Sequence, residues 1–417
     1  MSKVSIIGAY NTKFGVHTKK NRETGEITEL KTWYELLVEA ANGALTDAGI
    51  SAEQVDAVWT GACSPSLFVN QEHVGPLAME AAPEALRFKP MTRSEGACAS
   101  GSLAVLDALY SIEAGRNKVV LVLGVEKMSL LDTAGVTHTL ACSSYWPEEG
   151  AKGMTFPGLF AEYAKGYSAR HGIASDRLSR MLATIAAQMY RNGVENPLAH
   201  FSKGGPSDKL QLFSADAILN LPDEKNPLIA APLRLHDCSL ISDGAAGLVL
   251  AAEDCKLGRP EKRVRIAGIG HTTERMSITA RDNMYEHSAG KVAAAKAFDE
   301  AGISSADIDI AEVHDCFTIN QLISVETLGL VADGKGGDAY LDGRFGQDDT
   351  VCVNLSGGLK AKGHPVGATG VSMHALSYLQ LCDQPVGLAP AGKKPETAVV
   401  FNVGGSAATN VVTVLQR

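Results

Sequence analysis

The feature that most constrains the fold of this chain is an internal duplication. The segment Ala40–Cys63, AANGALTDAGISAEQVDAVWTGAC, is similar to the segment Val292–Cys316, VAAAKAFDEAGISSADIDIAEVHDC. DAGIS in the first segment matches EAGIS in the second, and the two terminal cysteines fall in the same register. Each copy is typical of an amphipathic helix that ends at a glycine and leads into a strand.

Two further matches follow in the same order. CASGSLAVLDAL (98–109) is similar to GATGVSMHAL (367–376), and VVLVLGVE (119–126) is similar to VVFNVGGS (399–406). The first pair indicates a turn of small residues that opens a helix, and the second indicates a buried strand. Three ordered matches predict an α/β protein of two similar halves, each with a mainly parallel, apolar sheet.

The first half is interrupted by a long insertion. We predict an N-terminal half formed by residues 1–126 and 236–260, an inserted lobe at 127–235 and a C-terminal half at 261–417. The lobe combines helical patterns with polar loops. An insertion of this kind on a rigid scaffold is expected to cover a substrate site.

Composition and charge exclude several classes of function. The net charge is −9 and basic residues form no long run, so no nucleic-acid partner is expected. Apolar runs such as VVLVLGV are far shorter than the roughly 20 residues that span a bilayer, so no membrane association is expected. The eight cysteines are scattered without zinc-site spacing, which favours reduced thiols in a cytoplasmic protein and no metal site.

Cys98 is the first candidate site residue. It precedes a helical pattern, where the helix dipole and free N–H groups favour the thiolate and lower the pKa of the thiol below its reference of ~8.5. A cysteine packed in the core is the alternative, because free cysteines are often buried. Position alone leaves both interpretations open.

His364 is the candidate partner of Cys98. It lies in the glycine-rich loop SGGLKAKGHPVGATG, just before a helix of the second half. The duplication makes 368–370 the counterpart of 99–101, so the loop that carries His364 is expected close to Cys98. A Cys–His pair is a common way to activate a thiol.

The tripeptide His-Asp-Cys occurs at 236–238 and again at 314–316. Neighbouring residues of a strand point to opposite faces, so neither copy is expected to bind a metal by itself. At the end of a strand, His314 and Cys316 share one face, and we take both as candidate site residues.

Four motifs of the chain resemble those of a known family. GACASGSLA, HDCF, NLSGGLKAKGHPVGATG and FNVGGSAA are similar to motifs of the thiolase superfamily, especially its sterol-carrier-protein-type and archaeal-type branch. The resemblance implies a duplicated five-layer αβαβα fold that acts on acyl-coenzyme A thioesters. It also implies CoA as a cosubstrate and no permanently bound cofactor.

The resemblance implies a role for each candidate. Cys98 would be the nucleophile and His364 its base. His314 and His364 would line one oxyanion hole, and the backbone N–H groups of Cys98 and Gly404 would form the other. Ser239 would contact the pantetheine arm of the substrate, although an ordinary turn serine is an equal alternative.

One position departs from the pattern of many thiolases. Their C-terminal Cys-x-Gly reads Asn402-Val403-Gly404 here, so that cysteine is absent. The resemblance assigns its acid/base role to Cys316, and a thiol with a pKa near ~8.5 suits proton transfer to a substrate carbon.

The predicted activity is thiolytic cleavage of a 3-oxoacyl-CoA, or the reverse Claisen condensation, through an acyl-cysteine intermediate. A homodimer or homotetramer is expected. One alternative is a condensing enzyme similar to ketoacyl synthases or hydroxymethylglutaryl-CoA synthase. A second alternative is a non-catalytic acyl-CoA-binding subunit. A third is a thiolase-like subunit that is active only with a small partner carrying a zinc ribbon and an OB-fold, and its substrate could be an aromatic or branched 3-oxoacyl-CoA.

Overall fold

The computed structural model of the chain describes residues 3–21 and 23–417. Helices and strands are interspersed along the chain. The strands are β1 (Val4–Asn11), β2 (Thr18–Lys20), β3 (Ile27–Glu29), β4 (Ala57–Gly61), β5 (Met91–Ser94), β6 (Val119–Glu126), β7 (Leu228–Ala230), β8 (Leu233–Arg234), β9 (Gly244–Ala252), β10 (Val264–Thr273), β11 (Ile310–Val313), β12 (Cys352–Val353), β13 (Thr397–Gly404) and β14 (Thr409–Gln416). The α-helices are α1 (Trp33–Ala48), α2 (Pro65–Val69), α3 (Pro83–Leu86), α4 (Ser100–Glu113), α5 (Thr133–Ala141), α6 (Phe156–His171), α7 (Ser175–Glu195), α8 (Pro206–Lys209), α9 (Ala215–Leu219), α10 (Ser288–Ala301), α11 (Thr318–Thr327), α12 (Gly336–Leu341) and α13 (Thr369–Leu381).

The main sheet is symmetric about its centre. Within the described residues it has ten strands in the order β12-β11-β13-β14-β10-β1-β9-β6-β4-β5. The two halves meet where β1 pairs with β10, through Ser5 with Arg265 and Ile6 with Val264. In each half four strands run in one direction, and only β9 or β14 runs against them. Each half-sheet is therefore mixed, with most of its strands in one direction, and the two halves join through an antiparallel pair.

The duplicated segments occupy equivalent places in the two halves. The first match covers α1 with β4 and α10 with β11, the second covers α4 and α13, and the third covers β6 and β13. Helices α1 and α10 both end at a left-handed glycine, Gly49 with φ 67° and Gly302 with φ 70°. The predicted fold class, an α/β protein of two similar halves, is confirmed.

Helices and half-sheets form alternating layers. Helix α1 packs against β1, β6 and β9, and α10 packs against β10 and β14. Helices α4 and α13 lie between the two half-sheets, because α13 contacts strands of both halves as well as α4. The order of layers is therefore α1, first half-sheet, α4 with α13, second half-sheet, α10.

The two central helices cross at equivalent glycines. A Cβ atom on Gly101 of α4 would lie 2.7 Å from the backbone nitrogen of Val371. A Cβ atom on Gly370 of α13 would lie 2.2 Å from the backbone nitrogen of Ser102. Since real Cβ atoms do not approach backbone this closely, only glycine permits the crossing at this distance.

The insertion lies between β6 and β9. Its two predicted helices are confirmed as α6 and α7, and α7 packs against α11, α12 and the π-helical turn Gly358–Lys362. The lobe is thus joined to the second half of the molecule. The division of the chain at 126, 235 and 260 stays a prediction. In the described part of the chain, no helix combines the length and the apolar composition needed to cross a membrane.

We expect Gly370→Ala to lower the free energy of unfolding by about 2 kcal/mol or more, because the new methyl group must push the central helices apart. Urea unfolding followed by circular dichroism measures the change. The matched control is Gly158→Ala in α6, where the added Cβ would meet only the Thr155 hydroxyl at 3.5 Å. Equal stability of the two variants would contradict the close crossing.

Candidate active site

Cys98 lies in a tight turn at the start of a central helix. The turn, Ala97–Ala99, leads directly into α4, as the sequence predicted. Ala97 has φ 52°, a left-handed conformation that non-glycine residues rarely adopt. The Ser100 hydroxyl donates to the carbonyl of Ala97 at 2.6 Å and accepts the N–H of Gly96 at 3.1 Å. Side-chain hydrogen bonds therefore hold this strained turn in place.

His364 lies in the equivalent place before α13. Its Nδ1 is 2.7 Å from the hydroxyl of Thr369, and that hydroxyl donates its own hydrogen to the carbonyl of Pro365 at 3.0 Å. Nδ1 must then carry the hydrogen of the ring, and Nε2 keeps a free lone pair. Thr369 is the counterpart of Ser100 in the duplication, so equivalent hydroxyls support the two turns.

Asp315, the middle residue of the second His-Asp-Cys, anchors the loop that carries His364. Its buried carboxylate accepts the N–H of Leu359 at 2.5 Å and of Lys360 at 3.2 Å. Burial raises the pKa of Asp315 to about 7, and these two N–H groups oppose the rise. The tripeptide thus ties His314 and Cys316 to the loop of His364 through its aspartate.

His314 completes a compact group with Cys98 and His364. It is buried and directly follows β11. The centres of the two histidine rings are 5.1 Å apart, with the rings nearly perpendicular. The Cys98 Sγ and one nitrogen from each ring lie within 4.8 Å of one another. The structure therefore brings together a thiol and two imidazoles that are far apart in the sequence.

Burial keeps this group neutral. Cys98 is only 8% exposed, and desolvation raises the pKa of its thiol to about 12, although the backbone N–H of Gly405 opposes the rise. Burial lowers the pKa of His364 to about 3, and the nearby Lys362 lowers it further. The expectation that the helix N-terminus lowers the pKa of Cys98 below its reference value is wrong, because desolvation by burial raises that pKa by more.

Two backbone N–H groups stabilise the charge of the Cys98 sulfur. The N–H groups of Gly405 and of Cys98 itself stabilise the Cys98 thiolate and lower its pKa. Gly404 is the last residue of β13 and pairs with Thr409. The oxyanion-hole role that the resemblance implies for the N–H of Gly404 stays a prediction.

Cys316 and Ser239 lie side by side. Cys316 is buried, and desolvation followed by the charge of Cys98 holds the pKa of its thiol well above the usual range. The backbone N–H of Ser239 donates to the carbonyl of Cys316 at 2.8 Å. The structure thus brings Ser239 to the site, while the contact of its hydroxyl with a pantetheine arm stays a prediction.

An open cavity of about 520 Å³ adjoins the turn of Cys98. Ala97, Gly404 and Gly405 line one side of it, and Cys63 and Cys142 line another. Its size is within the range of sites that bind small molecules.

Sequence reasoning missed three supporting groups. They are the Thr369 hydroxyl at His364, the Gly405 N–H at Cys98, and the amide of Asn402, which lies 2.8 Å from Nδ1 of His314. The duplication contains a signal for the first, because Thr369 aligns with Ser100. For Asn402 the sequence shows only that it replaces the cysteine of Cys-x-Gly.

The fold and the site together define a class: a buried Cys–His enzyme on a duplicated α/β scaffold. Two family models match the chain, the thiolase N-terminal domain over residues 4–254 and the thiolase C-terminal domain-like family over residues 270–417. The chain belongs to the thiolase family, as the motifs predicted.

Individual relatives agree with this assignment. The chain is 34% identical to an acetyl-CoA acetyltransferase of Methanothermobacter thermautotrophicus, over 100% of both chains. It is 37% identical to an acetyl-CoA acetyltransferase of Methanocaldococcus jannaschii, over 100% of this chain and 99% of the relative. An Ltp2-ChsH2(DUF35) aldolase has a similar fold, with a TM-score of 0.77 at 20% identity over 100% of this chain and 98% of that chain.

We expect alkylation of Cys98 by iodoacetamide to accelerate about tenfold per pH unit from about pH 7 to about pH 10, because the thiolate fraction rises at this rate below a pKa of about 12. Mass spectrometry of the labelled peptides measures the rate, with the exposed Cys142 as internal reference. A plateau below about pH 8 would indicate a thiolate already formed in the resting enzyme.

Proposed function

We propose that the chain catalyses thiolytic cleavage of a 3-oxoacyl-CoA, or the reverse Claisen condensation, through an acyl-cysteine on Cys98. The observation that carries the proposal is the buried group in which the Cys98 thiol lies beside His364, whose Nε2 has a free lone pair. Such a pair transfers a proton as the nucleophile attacks, so no thiolate has to be maintained in the buried site.

The first half-reaction uses both sides of the site. Cys98 Sγ attacks the ketone carbon, and its proton moves to Nε2 of His364. The N–H groups of Cys98 and Gly404 stabilise the ketone oxygen as it becomes negative. The thioester oxygen lies between His314 and the newly protonated His364, where both rings donate hydrogen bonds.

Cys316 is the proposed acid for the leaving group. Cleavage of the C–C bond leaves a carbanion on the acetyl-CoA-type product, and the Cys316 thiol gives it a proton. Burial supports this role, because a thiol with a raised pKa is protonated when the carbanion forms. In the condensation direction the thiolate of Cys316 takes the proton back.

The second half-reaction releases the acyl group. Before CoA reacts, the proton that His364 took from Cys98 passes to the Cys316 thiolate, so that the Nε2 lone pair and the Cys316 thiol are both restored. His364 then takes the proton of the CoA thiol, and the resulting thiolate attacks the acyl-cysteine carbonyl. The new thioester leaves, and Cys98 recovers its proton from His364. Since the first product departs before CoA enters, ping-pong kinetics are expected.

The setting of the reaction is part of the proposal. CoA serves as cosubstrate without a permanently bound cofactor, and Ser239 contacts its pantetheine arm. The enzyme acts in the cytoplasm as a homodimer or homotetramer. The structurally similar Ltp2-ChsH2(DUF35) aldolase is named for two components. This similarity supports a test of whether the present chain needs a small zinc-ribbon/OB-fold partner.

Cys98→Ala is expected to abolish thiolysis, because no acyl-enzyme can form. A panel of 3-oxoacyl-CoAs with short, long, branched and aromatic acyl groups, assayed by loss of the 3-oxoacyl-CoA, measures the activity and identifies the substrate. The matched control is Cys142→Ala, which removes an exposed thiol at the adjoining cavity. Full turnover by Cys98→Ala would refute the proposal, and activity that appears only with an added partner would support the partner-dependent form.

Cys316→Ala is expected to slow C–C cleavage by about 10²-fold or more, because the carbanion loses its acid. Exchange of labelled CoA into acetyl-CoA needs only Cys98 and His364, so it is expected to stay within a few-fold of the wild type. Equal losses in both reactions would contradict the division of roles between the two cysteines.

A further inference from the structure

The side chain of Asn402 connects the turn of Cys98 to the ring of His314. It projects from β13 and is fully buried. Its Nδ2 lies 3.3 Å from the carbonyl oxygen of Cys98 and 2.8 Å from Nδ1 of His314. Its Oδ1 accepts the hydroxyl of Ser102 at 2.8 Å.

These contacts determine how the Asn402 amide is oriented. The carbonyl of Cys98 can only accept a hydrogen bond, so the NH₂ group must face it. The remaining amide hydrogen then points at Nδ1 of His314, which must accept it with a lone pair. A neutral imidazole with a lone pair on Nδ1 carries its hydrogen on Nε2.

The hydrogen on Nε2 of His314 marks a position where a ligand could accept a hydrogen bond. Among the described residues this nitrogen is buried without a hydrogen-bond partner. A buried donor without an acceptor is unfavourable, so the site is suited to a ligand oxygen at that position. His364 has the opposite arrangement, with its hydrogen on Nδ1 and the lone pair on Nε2.

We propose that Asn402 is a positioning residue that fixes His314 as an Nε2–H donor and thereby prevents Cys98, His314 and His364 from binding a metal ion. The three groups lie within 4.8 Å of one another, which is near enough for them to converge on one metal ion. Zn²⁺ needs a thiolate and a lone pair on each ligating nitrogen. With its hydrogen held on Nε2, His314 cannot supply one.

The proposal predicts that a single substitution creates a metal site. In Asn402→Asp the carboxylate can only accept, so it takes the hydrogen of Nδ1 and leaves the lone pair of His314 on Nε2. A carboxylate behind a histidine is also the usual support of a zinc ligand, and such partners change metal affinity by about 10–100-fold. We expect Asn402→Asp to bind Zn²⁺ at least about tenfold more tightly than the wild type.

The experiment uses the full chain and metal alone. Competition with a chromophoric chelator at about pH 7.5 gives the Zn²⁺ affinity, and Co²⁺ gives a sulfur-to-metal charge-transfer band if Cys98 is a ligand. The matched control is Asn192→Asp, a buried asparagine whose Nδ2 also donates to a backbone carbonyl, that of Asn354 at 3.0 Å. In the Cys98→Ala/Asn402→Asp double variant the gain in affinity and the Co²⁺ band should disappear.

Two results would overturn the proposal. One is a folded Asn402→Asp protein with the Zn²⁺ affinity of the wild type. The other comes from the wild type itself, whose ¹⁵N-histidine NMR spectrum distinguishes protonated from unprotonated ring nitrogens: a hydrogen on Nδ1 of His314, assigned by its loss in His314→Gln, contradicts the assignment even if Asn402→Asp does not fold.

The catalytic meaning of this donor rests on the proposed function, whereas the metal and NMR measurements do not involve substrate. If the thiolysis panel fails while Asn402→Asp gains Zn²⁺, only the proposed reaction is wrong. If thiolysis is found and the metal affinity is unchanged, only the role of Asn402 is wrong.

Discussion

The active site depends on the contact between α4 and α13 at Gly101 and Gly370. Each of these helices begins just after a functional turn, with Cys98 before α4 and His364 before α13. Because the two helices touch within their first turns, the Cys98 thiol and the His364 ring lie close together without a long side chain between them. A larger residue at either glycine would separate the reacting groups as well as the helices.

The scaffold is symmetric but its chemistry is not. Ser100 and Thr369 occupy equivalent positions, yet one supports the turn of the Cys98 thiol and the other orients the ring of His364. The two histidines differ in the same way, since one presents a lone pair and the other a hydrogen. In a neutral, dry site these fixed dipoles act strongly on charge that develops during reaction, because little water screens them.

Much of this arrangement could be predicted from the sequence. Whether a feature could be predicted depends on whether the repeat or the packing determines it. The halves, the place of Cys98 and the approach of His364 follow from a repeat that is visible in the letters. The protonation of Cys98 does not, because helix position and burial oppose each other and only packing shows that burial prevails. The contacts of Gly405 with Cys98 and of Asn402 with His314 join segments more than 80 residues apart, and their hydrogen-bond directions are not visible in the sequence.

The position of α13 also has a consequence for how the chain folds during its synthesis. This helix, residues 369–381, contacts β1 and β9 of the first half and is almost wholly buried. During synthesis the first half emerges with that face uncovered, and it stays so until nearly the last residues have been made. Such an intermediate exposes apolar surface and is prone to aggregate. The first half therefore needs the second half to bury this face.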